Sequence, residues 1–244
     1  MRNIKLVIEY DGTEYVGWQR QESGRTVQAE IERALEAITG VRTIVNGSGR
    51  TDSGVHALGQ TASFRTESAL SLTQIHKGLN SVLPRDIAIL CAEETDPAFH
   101  AQHSAKRKTY VYRILNRPER SAMLKERVWH VHVPLDVRKM DEAAHTLVGE
   151  HDFKVFAHAG ITVRSTVRTV FVSKASKKGD VIEFTIEADG FLKRMVRLIA
   201  GTLVEVGKGR ITPAGFSEIL ARGEKTKHVH AAPARGLYLK EVRY

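Results

Sequence analysis

The stretch "TVQAEIERALEAITG", residues 26–40, decides how the first half of the chain is read. Val27, Ile31, Ala34, Leu35 and Ile38 recur at helical spacing, Thr26 is placed to cap the start and Gly40 to end it. The helix follows "IKLVIEY" (4–10), whose alternation reads as a strand, and precedes two more strands, "RTIVNGS" (42–48) and "GQTASFRT" (59–66). A second helix over 71–84, stopped by Pro84, and a strand "DIAILCAE" (86–93) complete a β-α-β-β-α-β order.

The second half reads similarly. "RKTYVYRIL" (107–115) is a strand and 136–149 a helix; strands over 165–177 and 180–190 meet at a Lys177–Lys178–Gly179 turn. A helix over 191–207, a shorter one over 213–222 and a last strand "GLYLKEVRY" follow. The predicted fold is α+β: two tandem ferredoxin-like β-α-β-β-α-β units, 1–104 and 105–244. They are expected to form a mostly antiparallel mixed sheet with helices on one face and a basic cleft. That architecture serves many functions, so function is argued from residues.

With 42% apolar residues in 244, the chain can bury a core, and 37 Lys+Arg against 28 Asp+Glu leave a net charge of +9. The excess favours a polyanion, nucleic acid first and an acidic membrane surface second. Cys91 is the single cysteine, so an internal disulfide and a cysteine-built zinc site are excluded. No apolar run approaches a membrane span and the first residues lack a signal-peptide pattern, so the expected location is cytoplasmic. P-loop, GxGxxG and GxSxG motifs are absent, which argues against phosphoryl transfer, dinucleotide binding and serine-hydrolase chemistry.

Two loops carry the candidate chemistry. "NGSGRTDSGVHALGQ" (46–60) spends about ten residues where a hairpin needs two to five. Its glycines permit close backbone approach to a ligand, with Arg50 and Asp52 two apart and able to pair. A long surface loop with a salt bridge is the plain alternative, and His56 reads as a packing residue. "YDGTEYVGWQRQ" (10–21) offers Trp18, Gln19 and Arg20, a mixture suited to bases, although a lone tryptophan more often anchors its loop. Tyr110 and Tyr112 share one face of their strand, where core packing competes with base stacking. On a helix from 191, Lys193 and Arg197, with Arg194 beside them, fall opposite the apolar stripe of Phe191, Met195, Leu198, Ile199 and Leu203, by default a solvated face, whereas clustered cations next to a cleft would grip phosphate or a catalytic carboxylate. The pairs His130–His132 and His228–His230 have metal-like spacing but no cysteine or HExxH context, so no metal is expected.

"GRTDSGVHALGQ" and "YDGTEYVGWQRQ" together resemble the tRNA pseudouridine synthase A family, and "TVQ", "LPRDIAI", "RKTYVYRI", "HDFKVF", "FLKRMVR" and "GLYL" follow in the family's order. The resemblance implies that Asp52 is the catalytic aspartate and that Arg50 takes part in substrate handling. Tyr110 becomes the substrate-contacting tyrosine and Arg197 the arginine that pairs with the aspartate. It also implies a homodimer acting on uridines 38, 39 and 40 of the tRNA anticodon stem-loop. Gln102, Leu198 and Ala200 depart from the usual pattern, which touches RNA contacts and packing rather than the reaction.

Isomerising uridine breaks N1–C1′ and rebuilds the link through C5, with no electrons exchanged, so no cofactor is required. A carboxylate against the sugar can stabilise an oxocarbenium-like state, attack C1′ or take a C2′ proton. A paired uridine must first be flipped out, at about a few kcal/mol.

Overall fold

The computed structural model describes residues 1–158, 160 and 162–244. In chain order the elements are β1 (Arg2–Tyr10), α1 (Val27–Thr39), β2 (Asn46–Gly47), β3 (His56–Thr66), α2 (Leu72–Val82), β4 (Ile87–Thr95), β5 (Arg107–Leu115) and β6 (Trp129–His130). They continue as α3 (Val137–His145), β7 (Gly149–Asp152), β8 (Val167–Lys178), β9 (Val181–Ala188), α4 (Met195–Gly207), α5 (Pro213–Arg222) and β10 (Leu237–Arg243). The chain divides into two compact units, Met1–Lys106 with Tyr238–Tyr244, and Arg107–Leu237. The second unit thus stops at 237, where a cut at 104/105 carries it to 244.

In the first unit the strands run β4-β1-β3-β10, with β2 also on β3. β1 is antiparallel to both neighbours, from Arg2 opposite Thr66 and from Asn3 opposite Thr95. β10 adds in parallel, Tyr238 beside His56 and Leu239 beside Ala57. Ile4, Leu6 and Ile8 of β1 are wholly buried, as are Val27, Ile31 and Leu35 of α1 and Ile75 and Leu79 of α2.

Local signals set the helix ends. Thr26 accepts from the Ala29 amide, Gly40 closes α1 at φ 74°, and Ser71 with Gln74 forms a reciprocal capping box on α2. β2 is far shorter than the predicted 42–48, for a visible reason. The Val45 amide donates to Glu32 Oε1 and its carbonyl accepts from Gln28 Nε2, so side chains of α1 replace the strand ladder there. Ile44, 71% exposed, has no face to bury.

The second unit orders its strands β5-β9-β8-β7, with β6 parallel to β5. β5 and β9 pair from Lys108 opposite Ala188 to Leu115 opposite Val181. Phe153, Phe156, Phe184, Phe216 and Tyr112 fill its core, Phe156 stacking on Phe216 at 5.7 Å.

α4 departs most from expectation. It starts at Met195 rather than 191, because Arg194 takes a left-handed conformation (φ 63°, ψ 7°) that interrupts a right-handed helix. Lys193 therefore lies ahead of the helix, and the face predicted to be solvated is not. Every residue from Met195 to Gly207 is buried except Arg197, which is half-buried. A helix apolar all round is an interior helix. Its one buried carboxylate, Glu205, bonds Arg210 at 2.8 Å and Lys208 at 3.0 Å. Burial pushes that carboxyl up, but these bonds more than offset it and hold it below the usual range.

Gly201 lies where the 230–232 segment crosses α4, and a Cβ there would come within 2.0 Å of the His230 carbonyl oxygen. Gly→Ala inside a helix ordinarily stabilises by about 1 kcal/mol. Here the overlap with fixed backbone reverses the sign, and Gly201→Ala is expected to destabilise by about 1–3 kcal/mol in urea unfolding.

Candidate active site

Asp52 lies in the first unit, half-buried, on the loop between β2 and β3. The loop has one turn of its own, Val55 N–H to Asp52 O at 3.1 Å, and is otherwise held by the 10–25 loop. Trp18 N–H donates to Thr51 O at 3.1 Å, Gly54 N–H to Tyr15 O at 3.2 Å, and Gly17 and Asp52 form an isolated antiparallel bridge. The Tyr10 and Thr51 hydroxyls meet at 2.7 Å in the interior, and the Ser53 hydroxyl donates to Tyr15 O. Asp52 thus has its backbone fixed on both sides.

Close approach explains two glycines. A Cβ on Gly12 would sit 2.0 Å from Val55 O, and one on Gly47 within 2.5 Å of the Trp18 ring. Trp18 is 3% exposed, so it anchors the two loops and offers no stacking platform for a base. Arg20 pairs with Glu32 at 3.3 Å. His56 also packs: it is buried, accepts from the Gly12 amide at Nδ1 and stacks on Tyr238 at 4.7 Å.

Arg50 is exposed on the same loop as Asp52. One residue before it, Gly49 O accepts from Gln60 Nε2, while Gln60 Oε1 takes bonds from the Ser48 hydroxyl and the Thr61 amide. A buried amide, Gln60 at 0% exposure, therefore sets the entry of the loop.

Tyr110 and Arg197 belong to the second unit. β5 turns Tyr110 and Tyr112 to one side, as the period of two requires. Tyr110 is 7% exposed and meets the edge of Phe191 at 5.0 Å. Tyr112 is fully buried and donates to Pro233 O at 2.7 Å. Burial pushes its phenol well up, and the charges of Arg197 and Arg235 pull it back. Arg197 Nε donates to Ala232 O at 2.8 Å while Arg197 O accepts the Ala232 amide. Tyr112, two residues along from Tyr110 and within the field of Arg197, links the two predicted residues of this unit. The sequence marks Phe191 only as part of an apolar stripe and the Ala232–Pro233 carbonyls not at all, because they meet β5 and α4 from distant segments.

The histidine pairs have other employment: His130 Nε2 bonds Arg117 O at 2.9 Å, and His228 lies 3.8 Å from Glu205. Among the described residues no three His, Cys, Asp or Glu group as metal ligands, and no helix is long and apolar enough to cross a membrane.

Tyr10 makes the loop's anchorage measurable. Burial pushes its phenol far above the usual range, and bonds to Thr51 and Gln60 only partly oppose this. The fold therefore favours the neutral form, and that stability is full below about pH 10 and lost as pH rises beyond it. Tyr10→Phe is expected to cost about 0.5–1.5 kcal/mol at pH 7 and to make the fall above pH 10 shallower, both read from urea midpoints.

Comparison with known proteins fits this geometry. The family described as tRNA pseudouridine synthase matches residues 6–104 and 143–244. "tRNA pseudouridine synthase A" of Caldicellulosiruptor saccharolyticus is 46% identical over 244 residues, covering 100% of both chains. The proteins of the same name from Acetivibrio thermocellus and Thermoanaerobacter sp. (strain X514) are 44% and 43% identical, again over 100% of both. At that identity over its whole length, the chain belongs to the tRNA pseudouridine synthase family, isomerases that convert uridine in tRNA to pseudouridine.

Proposed function

We propose that the enzyme acts on uridines 38, 39 and 40 of the tRNA anticodon stem-loop, with Asp52 as catalytic carboxylate and Arg50, Tyr110 and Arg197 as substrate-binding residues. The observation that carries this reading is Asp52 itself, an acid on a loop whose backbone is bonded on both sides by a second loop. In the proposal the scaffold is a pair of ferredoxin-like units, the working form is a homodimer and no cofactor takes part.

The reaction breaks N1–C1′, leaves charge on the sugar, turns the base and forms C1′–C5. The C5 proton then departs and N1 gains one, so atoms balance without an oxidant. A carboxylate opposite C1′ lowers the first barrier as in glycoside cleavage. A preset loop serves this because a fixed acid needs no reorganisation when charge develops. Tyr110, 7% exposed and edge-to-face with Phe191, contacts the base in this reading only as the flipped nucleotide enters. Arg197, its Nε committed to Ala232 O, has its guanidinium plane set before substrate arrives.

Loss of the C5 hydrogen gives a direct assay, release of tritium from tRNA labelled at C5 of uridine. Asp52→Asn is expected to abolish release while leaving tRNA affinity within a few-fold; turnover near wild type rules Asp52 out. Arg197→Lys keeps charge but not the planar fork, and is expected to lose about tenfold or more in kcat. Mapping pseudouridine in tRNA treated with the enzyme tests the positions.

A further inference from the structure

The turn before α4 holds a residue in the wrong conformation for its type. Met195 N–H donates to Leu192 O at 3.0 Å, closing a four-residue turn with Lys193 and Arg194 at its centre. Arg194, at φ 63° and ψ 7°, has the geometry of the third position of a type II turn, which glycine or asparagine fills without strain. Among the described residues nine others have positive φ, and all nine are glycine. The sequence uses glycine at each of those left-handed positions and an arginine only here.

A side chain kept at such a cost has a task, and among the described residues the fold supplies it with one weak contact. Arg194 is exposed, and its side-chain contact is Nη1 to His158 Nδ1 at 3.5 Å, the outer limit of a hydrogen bond. The surroundings are cationic. Lys193 is exposed, its carbonyl accepts the His158 amide, and Lys225 Nζ reaches Ala157 O at 2.7 Å. Immediately before the turn, Phe191 meets Tyr110. The substrate is a polyanion with a phosphate at each nucleotide.

We propose that Arg194 is a tRNA-binding residue. It grips a backbone phosphate from a turn that directly follows Phe191, with Lys193 and Lys225 adding to the field. Phosphate contacts position the RNA and carry no sequence preference, so the effect is on affinity for tRNA generally.

The test is binding of unmodified tRNA to the full-length enzyme across a salt series, with thermal midpoints measured alongside. It reads affinity and not turnover, so it stands apart from the role given to Asp52. Arg194→Gly is expected to raise or preserve the midpoint by relieving the turn, to weaken tRNA binding by about tenfold, and to reduce the slope of log affinity against log salt by about one. Arg194→Asn, which also tolerates this conformation, is expected to behave alike, and Arg194→Lys to recover most of the salt slope. Unchanged affinity and slope in Arg194→Gly overturn the proposal. So does a midpoint that falls in both the glycine and asparagine variants, since the arginine is then retained for the fold.

Discussion

Buried backbone groups must find partners, and the first unit depends on how two loops meet that demand for each other. Neither the 10–25 loop nor the 46–56 loop is held by its own turns alone. Trp18 and Gly54 donate across to Thr51 and Tyr15, and the hydroxyls of Tyr10 and Thr51 close the interior side. Each loop is thereby the template of the other. In the role proposed for Asp52, a carboxylate set against a ribose gains from this arrangement, because its loop is bonded to a second loop on either side of it. Gly12 and Gly47 belong to the same arrangement: both stand where a methyl group would force the loops apart.

The second unit solves a different problem with α4. A helix buried on nearly every side has no solvent face on which to carry a cation, yet Arg197 sits in its first turn. The arginine is accommodated because Ala232 answers it twice, through carbonyl and amide, and because Gly201 lets that segment lie against the helix. Tyr112 adds a third fixed point by bonding Pro233. A guanidinium whose orientation is settled in this way loses little entropy on meeting a ligand.

Elements with their signals inside their own stretch were legible in the sequence. α1 runs between the predicted threonine cap and glycine stop, and β5 spans the predicted 107–115. What failed was what depends on distance or on a single dihedral angle. Residues 191–194 continue the helical pattern of 195–207, so periodicity cannot reveal that Arg194 breaks it, and the helix face it predicts for Lys193 does not exist. Strand character in 42–45 was overridden by Glu32 and Gln28, which reach from α1 and take the hydrogen bonds of Val45. The aspartate loop stood out through its length and glycines, whereas its anchor, a tyrosine forty-one positions earlier than Thr51, left no local trace.

The parallel pairing of β10 with β3 has a consequence for how the molecule comes into being. Tyr238, which stacks on His56, is drawn from beyond the whole second unit. A nascent chain on the ribosome can assemble β1, α1, β3, α2 and β4 early, but that sheet stays open along one margin until the last strand emerges. Synthesis of the second unit, residues 107–237, stands between the rest of the first unit and the strand that completes its sheet, so that sheet cannot be finished until the second unit has been made.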